Sequence, residues 1–165
     1  MSDLLLEAAA ENYVERMGLL WEAQGLPRIA GRILGFLALQ PEPRTLDDIV
    51  VALGVSKGSV STDARRLDRL GLVILTSRPG DRRDYYVIAP DLPARITAIK
   101  LAELEQFEAA LDAARNVPGT DPNVRRRLDT FSEFHRRVAR LLRELLETPG
   151  STDSPNQIAK KAKQK

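Results

Sequence analysis

Apolar residues recur along most of this chain at three- and four-residue steps, the period of half-buried helices, and give way once to short β-branched runs. The first stripe, Leu6, Ala10, Tyr13, Val14, Met17, Leu20 and Trp21, has Glu7, Glu11, Glu15 and Glu22 on its other faces. It predicts a long helix from a cap at Ser2-Asp3 toward Gln24, broken by Gly25. Pro27 then sits where a first helical turn tolerates it, opening a helix through Ile29, Ile33, Phe36 and Leu37 that ends at Pro41-Glu42-Pro43. Thr45 can cap a third helix, with Asp47 and Asp48 at its positive end, Ile49, Val50 and Leu53 as its stripe, and Gly54 as its stop. After Val55, Ser56 can cap a fourth helix whose Val60, Ala64 and Leu67 share one face, and Gly71 closes it. Leu72-Val73-Ile74-Leu75 and Tyr85-Tyr86-Val87-Ile88 then read as two strands around a polar loop with Pro79-Gly80 at its tip.

Beyond the breaker at residues 89–93 the helical period returns. Ile96, Ile99, Leu104, Phe107, Leu111 and Ala114 trace one helix, and residues 117–122 form a strong turn. A final helix over residues 123–147 carries Val124, Leu128, Phe131, Val138, Leu142 and Leu145 close to coiled-coil spacing. The fold class expected is therefore mostly α with a small β-hairpin wing: a winged helix-turn-helix flanked by N- and C-terminal dimerisation helices. The boundaries read as 1–25 for the N-terminal helix, 26–90 for the winged unit and 91–147 for the C-terminal helices. Residues 148–165 are polar, rich in lysine and without a core pattern, as expected of a disordered basic tail.

The groups left outside the winged unit's core suit double-stranded DNA. Ser56, Lys57, Ser59, Ser61, Thr62, Arg65 and Arg66 surround the start and outer sides of the fourth helix, and a helix entering a major groove reads bases with such groups. Arg65 or Arg66 can form the forked contact to guanine, which discriminates bases by ~1–3 kcal/mol. Arg78, Arg82 and Arg83 in the hairpin loop are placed for phosphates or for the negative minor groove. Asp81 would repel DNA, so its expected task is to hold a neighbouring arginine in a fixed fork. The bland alternative is that these arginines merely solvate a surface, but the caps, the buried face and the basic wing all agree. Arg28 and Arg32, one turn apart, either reach phosphates or pair with acids of the N-terminal helix.

Composition changes this picture in one respect. The net charge is only +2, but residues 1–26 sum to −4, residues 56–86 to +3 and residues 148–165 to +3, so positive charge gathers where nucleic acid would lie. With no cysteine and a single histidine, His135, the chain lacks the parts of the common hydrolytic triads and of zinc sites. Neither enzymatic activity, nor a cofactor, nor a metal is expected. His135 lies on the seam of the last helix, where a packed or interface histidine is the favoured reading. No signal peptide and no membrane-length apolar run is apparent, which suits the cytoplasm. Tyr13, Met17 and Trp21, four residues apart, either cage a cationic ligand or pack against the terminal helices. The arginines of the last helix, among them Arg125, Arg126, Arg127, Arg136, Arg137, Arg140 and Arg143, read as a wet face rather than a second DNA site.

Three segments in this order, Gly25-Leu26-Pro27-Arg28-Ile29-Ala30-Gly31-Arg32-Ile33, Leu53-Gly54-Val55-Ser56-Lys57-Gly58-Ser59-Val60-Ser61 and Pro79-Gly80-Asp81-Arg82-Arg83-Asp84-Tyr85-Tyr86, resemble the GbsR-type branch of the MarR superfamily. The resemblance implies a homodimeric transcription factor, usually a repressor, whose DNA binding a small-molecule effector tunes. A near-palindromic operator is expected with it. The competing expectation is a winged helix used for protein–protein assembly, against which the basic helix and wing together weigh.

Overall fold

The computed structural model describes residues 2–147, with side chains from Glu7 onward. The expected cap at Ser2-Asp3, the contribution of Leu6 and the basic tail at 148–165 lie outside the described residues and side chains. The chain divides into two compact units that meet in sequence at Ala89 and Pro90.

The first unit contains α1 (Ser2–Glu22), α2 (Arg28–Ala38), β1 (Arg44–Thr45), α3 (Leu46–Leu53), α4 (Lys57–Arg69), β2 (Val73–Thr76) and β3 (Tyr85–Ile88). Its core is the apolar face of α2, with Ala30, Ile33, Leu34 and Leu37, closed by Ile49 of α3, Val60, Ala64 and Leu67 of α4, and Leu72 and Val73. Removing this much aliphatic surface from water is the main force holding the three helices together. The turn chemistry holds as expected. Thr45 accepts a hydrogen bond from the Asp48 amide at 3.2 Å while the Asp48 carboxylate accepts from the Thr45 amide at 2.9 Å, a reciprocal capping box. Gly54 ends α3 at φ 62°, a backbone state that a Cβ disfavours, and the chain turns directly into the Ser56 cap of α4.

The sheet differs from the expected two-stranded hairpin. Its order is β1-β3-β2, all antiparallel, with Arg44 opposite Tyr86 and Thr45 opposite Tyr85. β1 is two residues long, too short for any alternation to register in sequence, yet it pairs the outer edge of β3. Helix ends differ by one or two residues: Pro27 is the cap of α2 rather than its first residue, and α1 stops at Glu22.

α1 and α2 approach unusually closely because glycines meet there. A Cβ on Gly31 would lie 2.7 Å from the Met17 carbonyl oxygen, and one on Gly35 would lie 2.9 Å from Met17 Cβ. Val14, Met17 and Trp21 thus face α2, whereas Tyr13, Leu19 and Leu20 stay exposed, so the single stripe read from sequence divides in two. Arg28 and Arg32 turn to α1 of their own chain: both reach Glu15, at 2.9 and 2.6 Å, and Arg32 also donates to the Leu53 carbonyl at 2.9 Å.

The second unit is an antiparallel helical pair, α5 (Leu92–Arg115) and α6 (Pro122–Glu147), turned at Gly119 with φ 80°. Between them Leu111, Ser132 and Ala139 are buried, and Glu108 accepts a hydrogen bond from Ser132 and an ion pair from Arg136 at 2.7 Å. The Ser132 hydroxyl and then the arginines hold the Glu108 carboxyl below its usual range despite burial. Arg143 pairs with Glu105 at 2.8 Å, so Arg136 and Arg143 tie the two helices together and are not simply a wet face. The expected coiled-coil stripe also divides: Leu128 and Leu142 are partly buried, whereas Phe131 and Leu145 stay 54% and 67% exposed, in line with exposed Phe134 and Leu141. His135 packs beside Phe107, ring centroids 4.5 Å apart, and meets the edge of Phe134 at 5.6 Å. No described helix is long and apolar enough to cross a membrane.

Candidate nucleic-acid interface

α4 exposes a ridge because its buried side is fixed by Val60, Asp63, Ala64 and Leu67. Opposite them, at i, i+4, i+7 and i+11, stand Gly58, Thr62, Arg65 and Arg69. Lys57 and Ser61 lie to one side of the ridge, facing the wing, and Ser59 and Arg66 lie to the other. The residues singled out from sequence therefore do different things. Ser56 and Ser59 shape the helix start: the Ser56 hydroxyl oxygen accepts from the Ser59 amide at 3.2 Å, and the two hydroxyls are 2.8 Å apart. Arg66 leans 3.8 Å from Asp63, a buried carboxylate whose pKa desolvation raises and Arg66 partly restores. Arg65 and Arg69 are exposed and hold no ion-pair partner among the described residues. Arg69, outside the set that the sequence singles out, joins the ridge; its eleven-residue distance from Gly58 is the signal that finds it.

The wing carries a dense cluster of polar contacts. Arg83 donates from Nε to both Asp81 oxygens at 3.0 Å, and from its terminal nitrogen to one of them at 2.6 Å. The Arg83 amide also donates to Asp81 at 2.9 Å. The Tyr85 hydroxyl completes the cluster, donating to Asp81 at 2.7 Å and accepting from Arg83 at 3.0 Å. The Arg83 fork, followed by the Tyr85 hydroxyl, holds the Asp81 carboxyl far below the usual carboxylate range, and Asp81 in turn raises the Arg83 guanidinium and the Tyr85 phenol. Asp81 thus orients an arginine, as its sequence neighbours suggest. Arg78 lies over the Tyr85 ring at 4.5 Å and pairs with Glu42 at 3.3 Å. Arg82, next to Arg83, points outward without a partner among the described residues.

A shallow cleft of about 270 Å³ joins the two parts, lined by Lys57, Ser61 and Arg65 of α4, Asp47 of α3, and Arg83, Asp84 and Tyr86 of the wing. Of the residues predicted separately on helix and wing, Lys57, Ser61, Arg65 and Arg83 are thereby brought onto one cleft, whereas Ser56, Ser59, Thr62, Arg66, Arg78 and Arg82 do not line it. Tyr13, Met17 and Trp21 are not gathered in this way. Tyr13 and Met17 line an open groove with Ala8, Ala9, Asn12, Arg16 and Leu20, while the Trp21 Cβ sits against Gly31 and does not line it. Among the described residues no group of histidines, cysteines or acids could hold a metal ion.

Comparison with known proteins agrees with this geometry. Residues 24–84 match the model of the MarR family. The chain is 32% identical over 116 residues to the HTH-type transcriptional regulator MmpR5 of Mycobacterium tuberculosis, covering 70% of each protein. It is 28% identical over 87 residues to the HTH-type transcriptional repressor OpcR of Bacillus subtilis, 53% of this chain and 47% of that one. A crystal structure described as a transcriptional regulator superposes with a TM-score of 0.70 at 28% identity, covering 84% of this chain and 95% of the other.

Proposed function

The chain belongs to the MarR family of DNA-binding transcriptional regulators, and from that premise we propose that it is a ligand-responsive repressor gripping a near-palindromic operator as a homodimer. The observation that carries this reading is the cleft joining the α4 ridge to a wing whose Arg83 is already oriented. An arginine held in place before DNA arrives loses less rotamer freedom on binding than a free one. In this reading α4 enters a major groove, where Arg65 makes the forked base contact and Lys57, Ser61 and Thr62 touch its edges and phosphates. Arg78, Arg82 and Arg83 reach the flanking backbone or minor groove, and Arg69 at the end of the ridge and Arg66 on its other flank add phosphate contacts. Ser56 and Ser59 serve by fixing the helix start.

The dimer is supported by the outward seam of α6. Phe131, Phe134, Val138, Leu141 and Leu145 follow a three-four-three-four spacing, and the large ones are 54–67% exposed in the single chain. Twofold pairing would place the two α4 helices in successive major grooves, with half-sites about one turn, ~34 Å, apart. The GbsR-type assignment rests on the three motifs quoted above. An effector is supported by open concavities of ligand size, including one of about 960 Å³ in the first unit where Val14, Phe36, Leu39 and Leu53 meet the charged Glu7, Glu11, Glu15 and Arg32. A molecule that binds the free dimer better than its DNA-competent form would release DNA by that difference. The absence of cysteine favours such an effector over thiol sensing, and the cytoplasm is the setting we assign.

Selection of bound duplexes from a random pool, followed by salt-titrated band shifts and sedimentation, tests the reading. It expects an enriched inverted repeat bound by two chains, with affinity falling steeply as salt rises. Enrichment of no sequence, or binding by one chain to a single half-site at full affinity, would refute it.

A further inference from the structure

The surface that carries Arg65 is not uniformly basic. Lys57, Arg65 and Arg83 line its cleft together with Asp47, Asp68 and Asp84, so the ionised groups there balance. Four of the cations that would meet DNA already hold an anion of their own chain: Arg66 and Arg83 hold Asp63 and Asp81 of their own helix or loop, whereas Lys57 and Arg78 hold acids from other segments. The Lys57 ammonium lies 2.7 Å from Asp47, and the Arg78 guanidinium lies 3.3 Å from Glu42. All four side chains are about half exposed or more, so these pairs contribute little to the fold; exposed pairs are worth ~0–1 kcal/mol. Nor are the two acids needed for capping, since Thr45 and Asp48 do that for α3. Asp47 and Glu42 come from separate segments, the first turn of α3 and the loop before β1, yet each sits on a different DNA-facing cation.

We propose that Asp47 and Glu42 are tethered competitors for the DNA backbone. Each occupies a cation that a phosphate must take over, so sequence-independent binding proceeds by exchanging one anion for another. The inference rests on the DNA-binding reading above and specifies how that surface is regulated. Its physics lies in the ion count. A phosphate captured by a free lysine releases a condensed cation from the duplex, and this release drives much of non-specific affinity. A phosphate captured by Lys57 leaves Asp47 bare beside the duplex, where it recruits a cation back from solution. The net release, and with it the affinity for arbitrary sequence, is cut. Random DNA is held weakly, and residence on a site is left to the base contacts of Arg65.

Asp47→Asn and Glu42→Gln in the full chain test this, with a random-sequence duplex as the probe and fluorescence anisotropy over a range of salt. Asp84→Asn is the comparison, because it removes the same charge from the cleft that Asp47 lines but holds no cation among the described residues. Each competitor variant should tighten random-duplex binding about twofold to fivefold and steepen the log–log salt slope by up to about 0.9. Asp84→Asn should give a smaller gain and little change in slope. Since Glu42 lies outside any helix, its variant carries the test even if Asp47→Asn weakens the start of α3. Equal effects from all three variants would mean that only the general field matters, and would overturn the proposal. So would unchanged or weaker binding by both competitor variants, which would make the acids positioners of Lys57 and Arg78. A wild-type chain with no salt-dependent duplex binding would instead refute the DNA reading itself.

Discussion

Replacing Gly31 by alanine should destabilise the first unit, although alanine is the better helix former by ~1 kcal/mol. The added Cβ would sit 2.7 Å from the Met17 carbonyl oxygen, 2.8 Å from Trp21 Cβ and 2.9 Å from Gly18 Cα. Carbon atoms pack best at about 3.5–4.0 Å, so α1 would have to retreat by several tenths of an ångström or more. Two of the three neighbours are backbone atoms and cannot rotate away. Overpacking of this kind costs ~1–3 kcal/mol, and with no flexible side chain to absorb it the upper half of that range applies. After the propensity gain, a net loss of about 1–2 kcal/mol remains, worth roughly 5–15 °C in a unit of this size. Gly58→Ala supplies the internal control, because its Cβ would meet nothing within 4 Å and should stabilise α4 by up to ~1 kcal/mol. The assay is urea unfolding of the full chain at fixed protein concentration, followed by circular dichroism and by Trp21, the single tryptophan, whose Cβ abuts Gly31. A neutral or stabilising Gly31→Ala, or both alanine variants moving the same way, would refute the claim that α1 and α2 meet at van der Waals limit.

Two aspartates in the first unit should give opposite pH signatures. The Thr45 backbone and side-chain hydrogen bonds lower the Asp48 pKa, so its stabilisation is full above the unfolded value near 3.8 and fades as pH falls through the folded value; Asp48→Asn should cost about 0.3–1 kcal/mol at neutral pH and little in strong acid. Burial raises the Asp63 pKa, so the folded state binds its proton more tightly and stability falls as pH rises from about 3.8; Asp63→Asn should therefore gain stability that emerges above that pH, and melting curves showing a loss instead would reverse the assignment. In DNA titrations, Arg65→Ala should erase preference at one base pair at ~1–3 kcal/mol, while Arg82→Ala should weaken specific and random duplexes alike and flatten the salt slope by about one unit. Equal loss of preference from both would end that division of labour. Phe134→Glu, a charge on a 64% exposed seam residue, should leave the melting of the first unit intact and turn the dimer into monomer in sedimentation runs; a dimer that survives it lies elsewhere.

The elements legible in sequence were those written in local chemistry. Thr45 and Asp48, Gly54 and Ser56 each announce a helix end within four residues, and Val60, Ala64 and Leu67 announce a buried face. Asp81 followed two residues later by Arg83 was legible for the same reason, since both partners lie in one loop. What escaped depends on partners far along the chain. β1 became visible only through Tyr85 and Tyr86 some forty residues later, and the engagement of Arg136 and Arg143 only through acids of α5. The burial of Asp63 was hidden because an aspartate in a basic helix looks like a surface residue. The stripes of α1 and α6 look single in sequence because periodicity counts apolar positions but does not say which neighbour takes each one.

The glycine contacts between α1 and α2 have a mechanical consequence. Where helices touch through long side chains, rotamers absorb small displacements; at Gly31 the neighbours are the Met17 carbonyl oxygen and Gly18 Cα, main chain with no rotamer to give, while Gly18 and Gly35 are backed by the stems of Arg32 and Met17. With Glu15 bolted to both Arg28 and Arg32, α1 and α2 form one stiff beam, and α2 rests directly on the buried side of α4. A pull on α1 should then be handed to α4 with little loss, as through a lever arm. Spin labels at exposed Arg16 and Leu70, introduced as cysteines into a chain that has none and diluted with unlabelled chain, should keep one sharp separation within the chain with and without DNA. A separation that broadens or shifts on binding would show a compliant joint where the structure has a rigid one.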